Sequence, residues 1–243
     1  MKEKGRKWLN ILISQLFSVF LFSVLIVVVK EHLEGIMQRK SSVCSKVNFV
    51  ETGRGKAAVF GPVCSDKIEK RSIDISLKGF RPAEKQKQAL KEIASIEDGF
   101  VFIAVLNEII IGYLSFHPTE PFERWGKAGL SCILELGAIE VALDFRGLGI
   151  ARQLMEVAFC DGRMEDYIVI ATEYYWHWDL EGTGLLIWEY RTRLEKLMAA
   201  AGLVPEETTD PEINAHPANV LMVRVGSGVS LFQIKAFEKL RLM

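Results

Sequence analysis

Little in this chain points to a bound metal. Its four cysteines, Cys44, Cys64, Cys132 and Cys160, are scattered without C-x-x-C spacing, which excludes the common zinc arrangements. So few thiols in a chain of 243 residues fit a reducing compartment, the cytoplasm. An excess of charge is missing too. Thirty basic residues face thirty-one acidic ones, so the basic surface that a nucleic-acid binder presents to phosphates is lacking. Internal repeats and low-complexity tracts are absent. Two familiar phosphate signatures are absent as well. No Lys-Ser/Thr follows the glycine-bearing turn at residues 147–149, which excludes a P-loop, and Arg152 stands where the dinucleotide fingerprint requires a third small residue.

What is present is 49% apolar residues, enough to bury the core of one α/β domain with an appendage. The appendage is residues 1–36. After four basic residues comes Trp8 to Val29, interrupted only by Asn10, Ser14, Gln15, Ser18 and Ser23. As a helix this stretch would reach about 33 Å at about 1.5 Å per residue, the thickness of a bilayer core. Its length and the lack of a small-residue cleavage site argue against a signal peptide. The basic bias places its N-terminal end in the cytosol, and a single span would then export the rest of the chain. Two readings stand: a membrane anchor over residues 8–29, or a true start at Met37, with the domain occupying residues 47–243.

The periodicity of that domain predicts a mixed sheet flanked by helices. Lys56 to Val63, Phe100 to Leu106, Ile109 to Phe116, Leu134 to Leu143, Tyr167 to Thr172 and Asn219 to Val225 read as strands. Asn107-Glu108 reads as a hairpin turn. Pro82 to Ser95, Gly149 to Cys160 and Leu185 to Ala201 read as helices, the last two stopped by Gly162 and Gly202. A final helix opens with Ser230 and Gln233 at capping-box spacing. Phe122 to Gly129 has no assignable pattern.

The informative stretch is Ile139-Glu140-Val141-Ala142-Leu143-Asp144-Phe145-Arg146-Gly147-Leu148-Gly149-Ile150-Ala151-Arg152. A strand enters a glycine-bearing turn that opens directly into an amphipathic helix. Unpaired amides at the helix start then converge with the positive end of its dipole, a site for an anion such as a diphosphate. The glycines let that group approach the backbone, and Arg146 and Arg152 are placed to add charge-assisted contacts. The competing reading is a strand–helix turn whose glycines serve packing alone.

The turn resembles motif A of the GNAT acetyltransferases, R/Q-x-x-G-x-G/A, and the element order is similar to theirs. A closer resemblance covers about Val47 to Lys239. Phe80-Arg81-Pro82, Glu123-Arg124-Trp125, Leu136 to Val141, Thr172 to Leu180, Asp210 to Ile213 and His216 to Asn219 look like the acetoin-utilisation acetyltransferases, the AcuA family. The resemblance implies the acyl-CoA N-acyltransferase fold, with acetyl-CoA in a cleft where two central strands splay apart. By position, backbone groups of Ile139 and Val141 would hold the pantetheine arm, and the amides of Gly147, Leu148, Gly149, Ile150 and Ala151 the pyrophosphate. The family is associated with acetylating a lysine of acetyl-CoA synthetase, which switches that enzyme off. The apolar segment at the start of the chain is not part of the family pattern.

Such a reaction needs a base. A lysine of pKa near 10.4 costs about 4.6 kcal/mol to neutralise at pH 7. Glu140, on the strand before the turn, is the first choice, with Glu135 and Glu173 behind it. The competing reading of Glu140 is a structural carboxylate. The tyrosine that protonates the leaving thiolate in many GNAT enzymes falls at Met198 here, so Tyr174 and Tyr190 are the candidate acids. The aromatic cluster Tyr174 to Trp178 would wall the acceptor site or form core, and His216 would order a loop. Two other activities fit the same turn: transfer to a small amine, or acyl-CoA sensing without catalysis.

Overall fold

The structure, a computed structural model, describes residues 46–243. The apolar stretch at 8–29 and the start at Met37 lie outside them. Among the described residues no helix is long and apolar enough to cross a membrane, and no group of His, Cys, Asp and Glu is arranged to hold a metal ion.

The described residues build a nine-stranded mixed sheet. Its strands are β1 (Asn48–Thr52), β2 (Gly55–Phe60), β3 (Ser72–Ile73), β4 (Phe100–Leu106), β5 (Ile109–Pro118), β6 (Ile133–Val141), β7 (Ile168–Glu173), β8 (Val204–Glu206) and β9 (Val220–Val225). They lie in the order β1-β2-β4-β5-β6-β7-β9-β8, with the short β3 beside the start of β5. The helices are α1 (Ser65–Glu69), α2 (Ala83–Ile93), α3 (Arg124–Lys127), α4 (Ile150–Phe159), α5 (Leu180–Thr183), α6 (Ile187–Ala199) and α7 (Leu231–Arg241).

Alternation along the strands produces two cores. On β7, Val169 and Ala171 join the large core, while Ile168 and Ile170 point to the opposite face. On β9, Val220 and Met222 join the first set, Leu221 and Val223 the second. The large core is covered in part by the buried side of α4, with Ile150, Leu154, Val157 and Ala158. The smaller core is closed by α7 and α3, where Trp125 stacks on Phe237 with ring centroids 5.9 Å apart.

The expected strands and helices occur within a few residues of their predicted ends. Asn107 and Glu108 both adopt positive φ, 50° and 60°, the conformation of a tight two-residue hairpin turn. Gly162 and Gly202 take the left-handed conformation at φ 75° and 83°, and Ser230 and Gln233 form the reciprocal cap of α7. The periodicity did not reveal β1, β3, β8, α1 or α5. Phe122–Gly129, unassigned from sequence, contains α3.

Candidate acetyl-transfer site

The site begins with a break in the sheet. β6 and β7 run parallel, but only Ile133, Leu134 and Glu135 pair with Ile168, Val169 and Ile170. Beyond Glu135, β6 continues to Val141 bound to β5 alone, while β7, paired with β9 along its whole length, continues to Glu173 without β6. The separation of two parallel strands leaves backbone groups of β6 from Leu136 onward without a neighbour on one side. A shift of register between Ser115 and Phe116 places a bulge opposite Gly137, which bends β6 at the point where it parts from β7. A Cβ on Gly137 would lie 2.2 Å from the His117 ring, so any side chain here would have to displace that ring.

At the far end of β6, Val141 leads through a short 3-10 turn (Leu143–Phe145) into Arg146 and α4. Gly147 and Gly149 adopt φ of 78° and 84°, and a Cβ on either would meet no atom within 4 Å. The side open to solvent is thus kept clear at both glycines. No side chain caps α4, and its first intrahelical bond is the one from Gln153 to Gly149. The amides of Ile150, Ala151 and Arg152 therefore lack intrahelical acceptors and face that open side, which fits an anion of diphosphate size. Leu148 is exposed, and Ile150 and Ala151 direct their side chains into the core.

The two arginines are already engaged. Arg146 donates from Nε to the Val141 carbonyl at 3.0 Å and from Nη1 to Asp179 Oδ2 at 2.6 Å. Arg152, largely exposed, pairs with Glu156 one turn along the helix. Asp179, two residues after His177, makes its ion pair with Arg146.

A cavity of 1320 Å³ opens where the strands part. Its floor is Glu135 to Ile139 of β6, and its walls include Thr172 to Tyr174, Trp178 and Tyr190. Arg124 holds the wall contributed by α7, donating to the carbonyls of Leu240 and Met243 and to Thr209.

Glu140 is not among the residues that line this cavity. It faces its cross-strand neighbour Tyr113, whose hydroxyl donates to Oε2 at 2.7 Å, and the Gly79 amide donates to Oε1 at 2.8 Å. With both oxygens occupied and the residue buried, Glu140 anchors the loop that carries Phe80 and Arg81 to the cavity rim. These contacts fit the structural reading of Glu140 better than its reading as the base.

Glu135 and Glu173 do reach the cavity. Burial pushes Glu173 up to about 7, against the indole N–H of Trp178, which donates to Oε2 at 3.1 Å, while the nearby Glu135 carboxylate adds to the rise. Burial also raises Glu135; His117 opposes this, Glu123 adds to it, and the Thr172 hydroxyl donates to Glu135 at 3.2 Å. Tyr174 and Tyr190 both line the cavity, with hydroxyl pKa values raised chiefly by burial. Tyr190 stacks on Trp178 at 5.1 Å. Met198, the position of the expected tyrosine, is fully buried in the core.

The aromatic run is partly core and partly wall. Trp178 is buried, Trp176 and His177 are exposed, and Tyr174 stacks on Trp176 at 4.8 Å. The Asn219 side chain accepts the Tyr175 amide and donates to the Glu212 carbonyl. His216 accepts the Ala218 amide at its Nδ1 and packs on Tyr175, so it orders its loop. Sequence reasoning missed Asp179 as the partner of Arg146. The intervening 32 residues carry no signal that links them.

Comparison with known proteins agrees with this geometry. Residues 71–174 match the acetyltransferase (GNAT) family. The chain is 44% identical over 192 residues to the acetoin utilization protein AcuA of Bacillus licheniformis, covering 79% of this chain and 91% of that one. It is 43% identical, with the same coverage, to AcuA of Bacillus subtilis. The chain belongs to the AcuA family of GNAT acetyltransferases. It is an acetyl-CoA-dependent N-acetyltransferase. The crystal structure of an acetoin utilization protein from Exiguobacterium sibiricum superimposes with a TM-score of 0.78 at 44% identity, over 83% of this chain and 96% of that one.

Proposed function

We propose that this AcuA-family enzyme transfers the acetyl group of acetyl-CoA to a lysine of acetyl-CoA synthetase and so controls that enzyme in acetoin and acetate metabolism, in the cytoplasm. The observation that carries the reading is the Glu173 carboxylate. It faces the open cavity where the edge of β6 comes free, and burial brings its pKa to about 7. A base near neutrality combines a useful ionised fraction with real proton affinity.

In this reading the pyrophosphate of acetyl-CoA rests on the amides of Gly147 to Ala151, and the pantetheine arm follows the free edge of β6 at Ile139 and Val141. An amide of that edge polarises the thioester carbonyl. The lysine ammonium enters from the cavity and gives a proton to Glu173, directly or through water. The neutral nitrogen attacks the thioester carbon, and the carbon–sulfur bond breaks. Tyr190 or Tyr174 supplies a proton to the departing thiolate and is restored by the second proton, which the attacking nitrogen sheds. Products are acetyl-lysine and coenzyme A. The breadth of the cavity and the exposed His177 and Phe122 at its rim favour a side chain presented by a protein over a small enclosed amine.

The test is incubation with acetyl-CoA and purified acetyl-CoA synthetase, followed by peptide mass spectrometry. One dominant acetyl-lysine with loss of synthetase activity is expected. An unmodified synthetase alongside rapid turnover of a small amine would move the activity to that class.

A further inference from the structure

We propose that Asp179 is a positioning residue that ties the pyrophosphate-binding turn to the acid and base across the cleft, through its ion pair with Arg146. The proposal rests on the reading of Glu173 as base and of Tyr190 as one of two candidate acids, and extends it to a group that touches neither substrate.

Asp179 makes three connections of its own. Its Oδ2 accepts from Arg146 Nη1 at 2.6 Å, and Arg146 Nε reaches the Val141 carbonyl. The guanidinium thus bridges the last residue of β6 and Asp179, and it fixes the entry to the turn. The other oxygen of Asp179 accepts the Gly182 amide at 2.9 Å and caps α5. The Asp179 backbone lies beside the Tyr190 hydroxyl: burial raises that hydroxyl's pKa, and the Asp179 backbone acts against the rise. Immediately before Asp179, Trp178 is stacked on Tyr190 and donates to Glu173. The path from Arg146 to Glu173 therefore runs through contacts of two consecutive residues, Trp178 and Asp179.

The pair is part-buried on both sides, with side-chain exposures of 29% and 38%, so it is not a freely solvated surface contact. Arg146 holds Asp179 below the usual carboxylate range, burial opposes this, and the Gly182 amide reinforces it. The charged groups near Glu173 and Tyr190 are Glu135, Arg146 and Asp179. A neutral residue at 179 changes both the geometry and the field there. Asparagine has a single acceptor oxygen, so Asp179→Asn must release either Arg146 or Gly182.

The experiment is a double-mutant cycle of Arg146→Gln, Asp179→Asn and the pair, read by calorimetry of acetyl-CoA binding without acceptor. Each single change is expected to weaken binding roughly tenfold, the scale of one charge-assisted hydrogen bond. The double variant should be no weaker than the worse single one, because the two residues act as one unit. In the second readout, the pH profile of kcat/KM for Asp179→Asn should have its rising limb displaced from that of the parent. A change that only loosened the fold would lower activity without moving the limb. Arg146→Lys, which keeps the charge but cannot make both bonds, serves if Asp179→Asn does not fold, and it should weaken acetyl-CoA binding comparably. Additive losses in the cycle, or unchanged affinity with an unmoved limb, would overturn the proposal. A Glu173→Gln enzyme that stays active would remove the base assignment alone, leaving the affinity cycle to judge the tie between Arg146 and Asp179.

Discussion

Glu140 and Glu173 show how much a residue's role depends on where its strand goes. Both are glutamates next to motifs that the sequence makes conspicuous. Glu140 spends its two oxygens on Tyr113 and Gly79, whereas Glu173 keeps one oxygen free of any hydrogen bond to a protein side chain and faces the cavity. Nothing in the sequence separates them, because the decisive partners lie 27 and 61 residues away from Glu140. The raised pKa of Glu173 makes a signed prediction. The folded protein holds the proton more tightly than the unfolded chain, so this group favours folding at low pH. That contribution is lost as pH rises from the ordinary carboxylate value of 4.5 through about 7. Glu173→Gln removes the cost of a buried charge, so at pH 8 its Tm should exceed the parent's by at least about 2 °C. Its kcat/KM should fall by about 10²–10⁴, and the limb near pH 7 should vanish. An unchanged rate would return the search for the base to Glu135. A lower Tm would show that the carboxylate is structural.

Among the elements, the turn was the most legible and the cavity walls the least. Strand, glycines and amphipathic helix are contiguous, so local periodicity and the needs of φ > 0 describe them. Gly147 and Gly149 take the left-handed conformation that their place in the turn suggests. Gly149→Glu forces a side chain into positive φ and sets a carboxylate before the open amides. Acetyl-CoA affinity should drop by at least about 100-fold, and strain should cost about 1–2 kcal/mol. Calorimetry with wild-type affinity would remove the turn from the site. The walls depend on contacts distant in sequence. Arg124 fastens the end of α7 at Leu240 and Met243, contacts that no local pattern announces. Arg124→Ala should speed amide exchange over residues 236–243 and raise KM for the acceptor several-fold, with acetyl-CoA affinity unchanged. An equal loss of donor affinity would instead mean that this wall supports the whole cleft. The edge strands β1 and β8 escaped periodicity because short strands of mixed burial carry little pattern.

Taken whole, residues 45–243 form a compact unit of their own, and all the site residues lie within it. A chain begun at Met37 is expected to fold and to keep full acetyl-transfer activity, since every motif of the site lies downstream of Val47. Loss of folding in that chain would make the apolar segment part of the working enzyme. The near-neutral balance of charge leaves partner choice to the cavity rim rather than to a long-range field. The most direct test of the account is mass spectrometry of acetyl-CoA synthetase after exposure to this enzyme and acetyl-CoA, with the Glu173→Gln variant in parallel. The account predicts one dominant acetyl-lysine in the parent reaction and about 10²–10⁴-fold slower formation of it with the variant. Equal acetylation by both enzymes, or none by either, would contradict it.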